Sequence, residues 1–305
     1  MKAILTLIRF PNLVFIFLTQ AWAYGYLIMT RLSLFDLLLE RKPGALSPLY
    51  FAMLTLATVI IAAAGYMIND YFDMSIDTIN KPERVTIEKI FSRRSVIIWH
   101  IVLNLIALVM ASYVYITVLK WRWIVVQLFS ILLLIIYSTS LKRKMLVGNI
   151  SIALLTALTV FSAASFDYNF LWADLNSRKV LVFWLYIGFA FLITLIREIV
   201  KDLEDMKGDS AQACKTLPLV YGANTAKTVV YIICFILFFL IGFALFQKTE
   251  PEQMLTILWT GGIVLPLSVC MYFLYKANTA SHFHRLSTWI KIITAFGILS
   301  MIFVR

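Results

Sequence analysis

The chain has 305 residues, of which 62% are hydrophobic and only 14% are charged. This composition excludes an ordinary soluble domain, in which roughly 45–50% of residues are apolar and about 25% are charged. The formal net charge of +11 would suggest nucleic acid as the partner of a soluble protein. We expect no nucleic-acid partner here, because cytoplasmic loops of membrane proteins also carry an excess of Lys and Arg.

Nine runs with few or no charges are long enough to cross a bilayer, which takes about 20 helical residues. In chain order the predicted spans are Leu13–Thr30, Pro43–Asn69, Ser95–Leu119, Trp123–Leu141, Met145–Phe166, Val180–Ile196, Thr228–Gln247, Gln253–Tyr275 and Leu286–Val304. The last run is interrupted by Lys291. We therefore predict an all-α polytopic membrane protein of about nine transmembrane helices, with residues 1–305 in a single membrane domain.

The positive charges are distributed unevenly between the two sides of this topology. If the amino terminus is cytoplasmic, the segments on its side carry 17 of the 27 Lys and Arg residues, and Lys291 lies within the last span. Because this bias marks cytoplasmic loops, we predict a multi-pass protein of the cell (plasma) membrane. The ends of the second and sixth spans then face the cytoplasm.

Two acidic segments stand at those two span ends. The first triplet, in NDYFDMSIDTINKPER, is Asp70, Asp73 and Asp77, and the second, in REIVKDLEDMKGD, is Asp202, Asp205 and Asp209. At about 100° per residue, a spacing of three and four residues places each triplet on one side of a helix. We expect the first helix to end at Asn80-Lys81-Pro82, and Thr216–Gly222 to form a turn. Glu204 points away from the second stripe, and we expect it to be solvated or paired.

Carboxylates inside a bilayer cost about 2.5–3.5 kcal/mol each, so these six must lie near the interface, bind cations, or both. The simpler interpretation is a pair of solvated helix ends. The alternative is Mg²⁺, which prefers oxygen ligands and is usually shared between one or two carboxylates and substrate phosphates. Two facing stripes could hold about two Mg²⁺ ions with a diphosphate between them. This second interpretation predicts Mg²⁺ as cofactor and all six aspartates as ligands, with Asp70, Asp73, Asp202 and Asp205 as the catalytic carboxylates.

Basic residues on the same side would suit a diphosphate leaving group. Arg84 and Arg197 lie beside the acidic stripes, and Lys142 and Arg143 follow the fourth span, where positive-inside anchoring is an equally simple explanation. Tyr137 lies near the same end of that span, where it either contacts substrate or belongs to the aromatic belt. We place His282 and His284 in an interfacial loop rather than among metal ligands.

NDYFDMSIDTINKPER resembles the first aspartate motif of the UbiA superfamily of intramembrane prenyltransferases, and REIVKDLEDMKGD resembles the second. The resemblance covers essentially the whole chain and includes Tyr137 with Leu141-Lys142-Arg143 after the fourth span. It implies a helical bundle around a central cavity that is open laterally to the membrane. It also implies Mg²⁺-dependent transfer of a prenyl group from a prenyl diphosphate donor to a hydrophobic or lipid acceptor.

The same resemblance implies roles for individual residues. Asn69 would join the first stripe in binding Mg²⁺ and diphosphate, while Arg84, Lys142 and Arg143 would hold the diphosphate. Asn12, in Arg9-Phe10-Pro11-Asn12, resembles a polar position that lines the cavity in the first span, and we count it with Tyr137 and Arg197 among the residues that bind the diphosphate substrate.

Within the superfamily, the second motif with TLP and YG downstream looks most like the branch that makes ether lipids, whose members transfer geranylgeranyl to geranylgeranylglyceryl phosphate. That branch usually continues after the arginine with Pro and then Ser-Gly, whereas this chain has Val85–Ile90. An aromatic, quinone-pathway acceptor therefore remains open. A cation-coupled transporter is the alternative from another class, although transporters generally place carboxylates near the membrane midplane.

Overall fold

The computed structural model describes residues 2–28, 48–80, 87, 90–165, 178–246 and 253–304. These residues form helices and turns, with one isolated bridge between Ile87 and Phe91 and no strand within the described ranges. The helices are α1 (Lys2–Leu7), α2 (Phe10–Trp22), α3 (Pro48–Asn80), α4 (Arg93–Thr117), α5 (Ile124–Thr139), α6 (Val147–Ser162), α7 (Arg178–Ala211), α8 (Leu217–Tyr221), α9 (Ala223–Phe246), α10 (Gln253–Trp259), α11 (Leu265–Lys276) and α12 (Ala280–Ser300). The predicted all-α class is confirmed.

Seven helical stretches in the described part of the chain are long and apolar enough to cross a membrane. They include α10 and α11, which a π-helical turn at Thr260–Val264 joins into one stretch. The shorter apolar α6 stands where the fifth span was predicted, and α2 with its π-helical extension Ala23–Ile28 stands where the first was predicted. These helices make the chain a multi-pass membrane protein and support the approximate count of nine.

Two helices extend well beyond the spans predicted from hydropathy. The predicted spans stop at Asn69 and Ile196, whereas α3 continues to Asn80 and α7 to Ala211. The acidic stripes therefore lie on uninterrupted helices, as their spacing predicted. The predicted stop at Asn80-Lys81-Pro82 falls where the described residues end, so it stays a prediction.

The segment after α7 differs from the turn that was predicted there. Leu217–Tyr221 forms the short helix α8, because Pro218 in its first turn has a fixed φ and needs no amide donor. Gly222 then ends α8 with φ +87°, a conformation that favours glycine. His282 and His284 are likewise helical rather than in a loop, since α12 begins at Ala280.

Helix α7 lies at the centre of the bundle and contacts α3, α6, α9 and α12. Its inward side chains are almost completely buried, among them Phe183, Ile193 and Ile199. Lipid is as apolar as these side chains, so close packing and interhelical hydrogen bonds stabilise the bundle rather than the hydrophobic effect. The central position of α7 fixes the second acidic stripe relative to every neighbouring helix.

Small residues bring α3 and α4 close together. Ala64 of α3 and Ala107 and Ala111 of α4 are fully buried, and such residues let helix backbones approach in a membrane. The Nδ1 atom of buried His100 lies 2.9 Å from the carbonyl oxygen of Ala64, which adds a polar link between the two helices. The carboxyl half of α3, with the first acidic stripe, is held in place by this packing.

A small apolar cleft lies near the amino-terminal end of α7, away from the acidic residues. Phe189, Leu237 and Trp259 are among its lining residues. The polar side chains of the site converge instead at the other end of the bundle. There the carboxyl ends of α3, α5 and α7 meet the amino ends of α2, α6 and α12.

Candidate active site

Asp70 on α3 forms an ion pair with a residue that the sequence analysis did not select. An Arg9 guanidinium nitrogen donates to Asp70 Oδ1 over 2.7 Å, and the guanidinium lies 5.1 Å from the centre of the Tyr66 ring. Arg9 has a left-handed backbone, with φ 50° and ψ 51°, at the junction of α1 and α2. Burial by itself would lower the pKa of Arg9, but the charge and hydrogen bond of Asp70, together with Tyr66 and Asp73, raise the pKa. The guanidinium therefore remains charged.

Asp73, one turn further along α3, is buried and receives two donors on the same oxygen. The Asn69 side-chain amide donates to Asp73 Oδ2 over 2.6 Å, and the Lys142 ammonium forms a hydrogen-bonded ion pair with that oxygen. The other end of the Asn69 amide, Oδ1, is buried and has no hydrogen-bond partner within the described structure. A buried acceptor without a hydrogen bond costs free energy. This oxygen is therefore available to bind a cation or to accept a hydrogen bond.

The position of Lys142 depends on a close approach between two backbone segments. Lys142 lies in a 3₁₀ turn, Leu141–Arg143, that connects α5 to α6. A Cβ atom added to Gly148 would lie 2.9 Å from the Leu141 carbonyl oxygen and 3.0 Å from the Lys142 Cα. Glycine at this position lets the turn rest against the start of α6. The Arg143 carbonyl also accepts a hydrogen bond from the Lys215 amide over 2.9 Å, which ties the turn to the chain after α7.

The second acidic stripe runs along the carboxyl end of α7. Asp202 Oδ2 accepts a 2.9 Å hydrogen bond from the side-chain amide of Asn149, which is buried at the start of α6. Asp205 is half-buried, close enough to Lys201 for their charges to interact. Asp209 is buried near Cys214, where burial and then the Asp209 carboxylate raise the pKa of the thiol.

Glu198 extends this stripe by one turn towards the membrane interior. Arg197 donates to its Oε1 over 3.0 Å, and the Lys201 ammonium lies 3.1 Å from its Oε2. The predicted solvated or paired Glu204 faces the other way, where its Oε1 lies 3.0 Å from His284 Nδ1 on α12. Glu204 is therefore paired and holds α7 against α12.

The two stripes face a common space. Tyr137, near the end of α5, lies within electrostatic reach of Asp73, Asp202 and Lys142. Arg9 in turn lies close enough to Glu198 for their charges to interact, although its ion pair is with Asp70. The arrangement therefore brings carboxylates of both stripes together with the Lys142 ammonium and the Tyr137 ring.

Some predicted site residues are not placed at this centre. Arg84 lies outside the described residues, and so does the side chain of Asp77, although the backbone of Asp77 belongs to α3. Arg143 is exposed, and its side chain makes no hydrogen bond or ion pair with the part of the chain that the structure describes. Asn12 contacts Lys291 of α12, whose ammonium donates to Asn12 Oδ1 over 2.7 Å.

Sequence reasoning missed Arg9 and Asn149. Arg9 lies only three residues before Asn12 but 61 residues before its partner Asp70, so no local pattern pairs them. Asn149 is a buried amide inside a predicted span that has no charged residue. Polar side chains at membrane depth usually have a function or a partner, and this signal could have identified it.

The donor set suits a hard divalent cation. Every carboxylate of the two stripes offers oxygen, the ligand atom that Mg²⁺ prefers, and the unpartnered Asn69 Oδ1 adds a neutral oxygen beside Asp73. Among the described residues, no three His, Cys, Asp or Glu side chains already lie close enough together to hold a metal ion. This fits Mg²⁺ that is shared between a few carboxylates and substrate phosphates rather than one bound by a complete protein cage.

The bundle has long helices, and at one end it carries two facing acidic stripes with basic side chains beside them. These features define a polytopic membrane enzyme that binds a charged group at the membrane edge. The chain matches the model of the UbiA prenyltransferase family over residues 32–293, and it therefore belongs to that family. The predicted family and the predicted prenyltransferase activity class are confirmed, and the transporter alternative is set aside.

Curated relatives carry a more specific name. Digeranylgeranylglyceryl phosphate synthase of Methanosphaera stadtmanae is 29% identical over 238 residues, which are 78% of this chain and 81% of that protein. The enzyme of the same name from Methanothermobacter thermautotrophicus is 38% identical over 174 residues, 56% of this chain and 57% of that protein. The match thus spans most of the first relative and little more than half of the second.

Solved structures share the fold. A structure concerned with digeranylgeranylglyceryl phosphate synthase in membranes superposes with a TM-score of 0.69 at 22% identity, covering 99% of this chain and 97% of the other. A UbiA homologue from Archaeoglobus fulgidus bound to GPP and Mg²⁺ superposes with a TM-score of 0.64 at 14% identity, covering 98% and 99%. These likenesses establish the architecture of the bundle.

Proposed function

We propose that this protein transfers a geranylgeranyl group from geranylgeranyl diphosphate to geranylgeranylglyceryl phosphate, with Mg²⁺ as cofactor. The curated relatives named digeranylgeranylglyceryl phosphate synthase support this choice of acceptor. One observation carries the proposal: carboxylates of both stripes lie with Lys142 at one end of an apolar bundle. The bias of Lys and Arg towards that end supports a site facing the cytoplasm at the plasma membrane.

The oxygen atoms of the two stripes hold the cofactor. The residues concerned are Asp70, Asp73, Asp77, Asp202, Asp205 and Asp209, with the amide oxygen of Asn69. When bound, Mg²⁺ supplies positive charge that stabilises the negative charge developing on a departing diphosphate. The UbiA homologue that binds GPP and Mg²⁺ supports this requirement for the metal.

Basic side chains bind the diphosphate. Lys142 is already directed at Asp73, so a diphosphate beside that carboxylate offers the same ammonium a second anionic partner. Arg143, on the same turn, is exposed and able to reach an incoming phosphate. We also assign Arg84 to this group. Each charge-assisted hydrogen bond to the leaving group favours its departure.

The reaction breaks one bond and forms another of the same kind. The bond between C1 of the prenyl chain and the diphosphate oxygen breaks, and its electron pair leaves with the diphosphate. The acceptor hydroxyl oxygen forms an ether bond to C1, and its proton passes to the departing diphosphate. The ring of Tyr137, whose hydroxyl lies within electrostatic reach of Asp73 and Asp202, can stabilise positive charge that develops on the allylic carbon. The surrounding apolar helices limit access of water, which would otherwise compete with the acceptor.

The experiment is transfer from labelled geranylgeranyl diphosphate by purified protein, with and without Mg²⁺. Geranylgeranylglyceryl phosphate, 4-hydroxybenzoate and a naphthoate serve as parallel acceptors. We expect product with the glyceryl phosphate alone, and loss of product in Asp73→Asn and Asp205→Asn with folding retained. Glu204→Gln is the matched control, because Glu204 lies next to Asp205 on α7 but faces His284; it should retain most of the activity.

The outcomes separate the possible functions. Retained transfer in both aspartate variants would contradict the assignment of the stripes. Product with an aromatic acceptor instead would keep the chemistry but place the protein among aromatic prenyltransferases. Metal-independent transfer would refute the role given to Mg²⁺.

A further inference from the structure

A lysine interrupts the last membrane-spanning stretch, and the reaction as described so far does not use it. Lys291 lies 11 residues into α12, which belongs to the span Ala280–Phe303. A charged side chain within a span is costly, by about 2.5–3.5 kcal/mol on insertion scales, and commonly marks a substrate or ion site. A function for the Lys291 ammonium therefore needs to be sought in its surroundings.

The described surroundings of Lys291 contain polar and aromatic groups. Its ammonium donates to Asn12 Oδ1 over 2.7 Å and lies 5.2 Å from the centre of the Phe15 ring. Among the described residues it forms no ion pair, and the charged group that acts on it is another cation, Arg197. Two positive charges held close together at this depth would be stabilised by an anion.

Only some of the Arg197 N–H groups have a hydrogen-bond acceptor within the described structure. One of its terminal nitrogens donates to Glu198 over 3.0 Å, while its buried Nε–H has no acceptor within the described structure. Tyr66 completes this inner group, because its hydroxyl lies near the Asn12 side chain and within electrostatic reach of Arg197. The ammonium of Lys291 and the free N–H of Arg197 are donors suited to phosphate oxygens.

This inner group lies deeper in the bundle than the aspartates of the two stripes. Tyr66 precedes Asp70 by four residues on α3, and Arg197 precedes Asp202 by five on α7. At 1.5 Å per residue the separation along the helices is about 6–8 Å. A diphosphate held by the stripes directs its prenyl carbon towards this inner layer, since its hydrocarbon chain extends into the membrane.

We propose that Lys291 and Arg197, positioned by Asn12 and Tyr66, bind the phosphate of the acceptor lipid, separately from the diphosphate of the donor. The proposal rests on the proposed function, in which the acceptor carries both a hydroxyl group and a phosphate monoester. The acceptor hydroxyl must meet C1 of the donor, so its phosphate must lie near that carbon rather than among the metal-binding carboxylates. Arg197 and Asn12, which the sequence analysis assigned to the diphosphate, are thereby reassigned to the acceptor.

The test compares Lys291→Gln, Lys291→Arg and the matched control Lys276→Gln. Lys276 is an exposed lysine at the end of α11 whose ammonium contacts the Tyr272 hydroxyl. Binding of three labelled probes to purified protein is measured: geranylgeranylglyceryl phosphate, geranylgeranylglycerol and geranylgeranyl diphosphate. The steady-state KM for the acceptor and kcat are measured in parallel.

The expected result is selective for the phosphate of the acceptor. A hydrogen bond to a charged group corresponds to about a 10- to 100-fold change in affinity. Lys291→Gln should lower the affinity for geranylgeranylglyceryl phosphate by that factor. The KM for this acceptor should rise more than kcat falls. Affinity for geranylgeranylglycerol and for the diphosphate should change less than about 3-fold. Lys291→Arg should restore much of the loss, and Lys276→Gln should behave as the unaltered protein.

Retained diphosphate binding shows that Lys291→Gln is folded, so a negative result has a clear meaning. Unchanged binding of geranylgeranylglyceryl phosphate, or an equal loss for the diphosphate, would overturn the proposal. Unaltered protein that binds the glyceryl phosphate no better than geranylgeranylglycerol would also overturn it. If the unaltered protein binds the phosphate lipid through Lys291 but transfers nothing to it, this inference stands and the proposed function fails.

Discussion

Gly148→Ala tests whether the turn carrying Lys142 must rest against the start of α6. The added Cβ would lie 2.9 Å from the Leu141 carbonyl oxygen and 3.0 Å from the Lys142 Cα. Comfortable contacts between heavy atoms are about 3.5–4.0 Å, so the turn must move by roughly 0.5–1 Å. Backbone atoms cannot relieve the contact by a change of rotamer. The ammonium of Lys142 would then be displaced from Asp73.

The effect on activity should exceed the effect on stability. Overpacking costs about 1–3 kcal/mol, and replacing glycine in a helix returns up to about 1 kcal/mol, so the net loss of stability is about 0–2 kcal/mol. A displacement of about 1 Å in a positioning group can cost about 100-fold in rate. We expect kcat/KM for the donor to fall about 10- to 100-fold while the protein remains folded.

The assay is donor-dependent transfer at fixed acceptor, together with thermal unfolding in the same detergent. Gly188→Ala is the matched control, because its new Cβ would meet only Leu240 Cδ1 at an ordinary 3.6 Å. Equal activity of the Gly148 and Gly188 variants would refute the reasoning. So would a large loss of stability without any change in the activity of the folded fraction.

Two further predictions concern hydrogen bonds of buried groups. Asn149→Leu removes the hydrogen-bond donor to Asp202 Oδ2. Because partners of metal ligands typically contribute 10- to 100-fold to metal affinity, the Mg²⁺ concentration for half-maximal transfer should rise about 10-fold. An unchanged Mg²⁺ titration would contradict this. Ser300→Ala leaves the Tyr186 hydroxyl and the Trp259 indole N–H without the oxygen they share at 2.7 and 3.0 Å, and it should cost about 1–3 kcal/mol of stability. Thermal unfolding measures this loss, and an unchanged Tm would show that these groups find other partners.

Helix type and approximate position were predictable from the sequence because apolar runs of membrane length have few alternative structures. Helix ends were less predictable. The span of α7 was expected to stop at Ile196, where hydropathy falls, but hydrogen bonding within a helix does not depend on hydropathy and α7 continues to Ala211. The helical spacing of its aspartates was the better indicator.

The members of the site were partly predictable, and their contacts were not. Spacing selected Asp70, Asp73 and Asp202, since periodicity is a local property. The contacts of Lys142 with Asp73 and of Arg9 with Asp70 join residues 69 and 61 positions apart. Only the packing of the helices determines which distant side chains meet, and a single sequence carries little information about it.

The unequal lengths of the helices have a consequence for the shape of the site relative to the bilayer. With 16 residues, α6 is about 24 Å long, shorter than the hydrocarbon thickness of about 30 Å, whereas α3 and α7, with 33 and 34 residues, are each about 50 Å long. A helix as short as α6 does not reach both faces of the hydrocarbon layer, whereas α3 and α7 are long enough to extend beyond it. These unequal lengths predict a polar depression on one side of the membrane. There the charged diphosphate can contact water while the prenyl chain attached to it remains in the lipid.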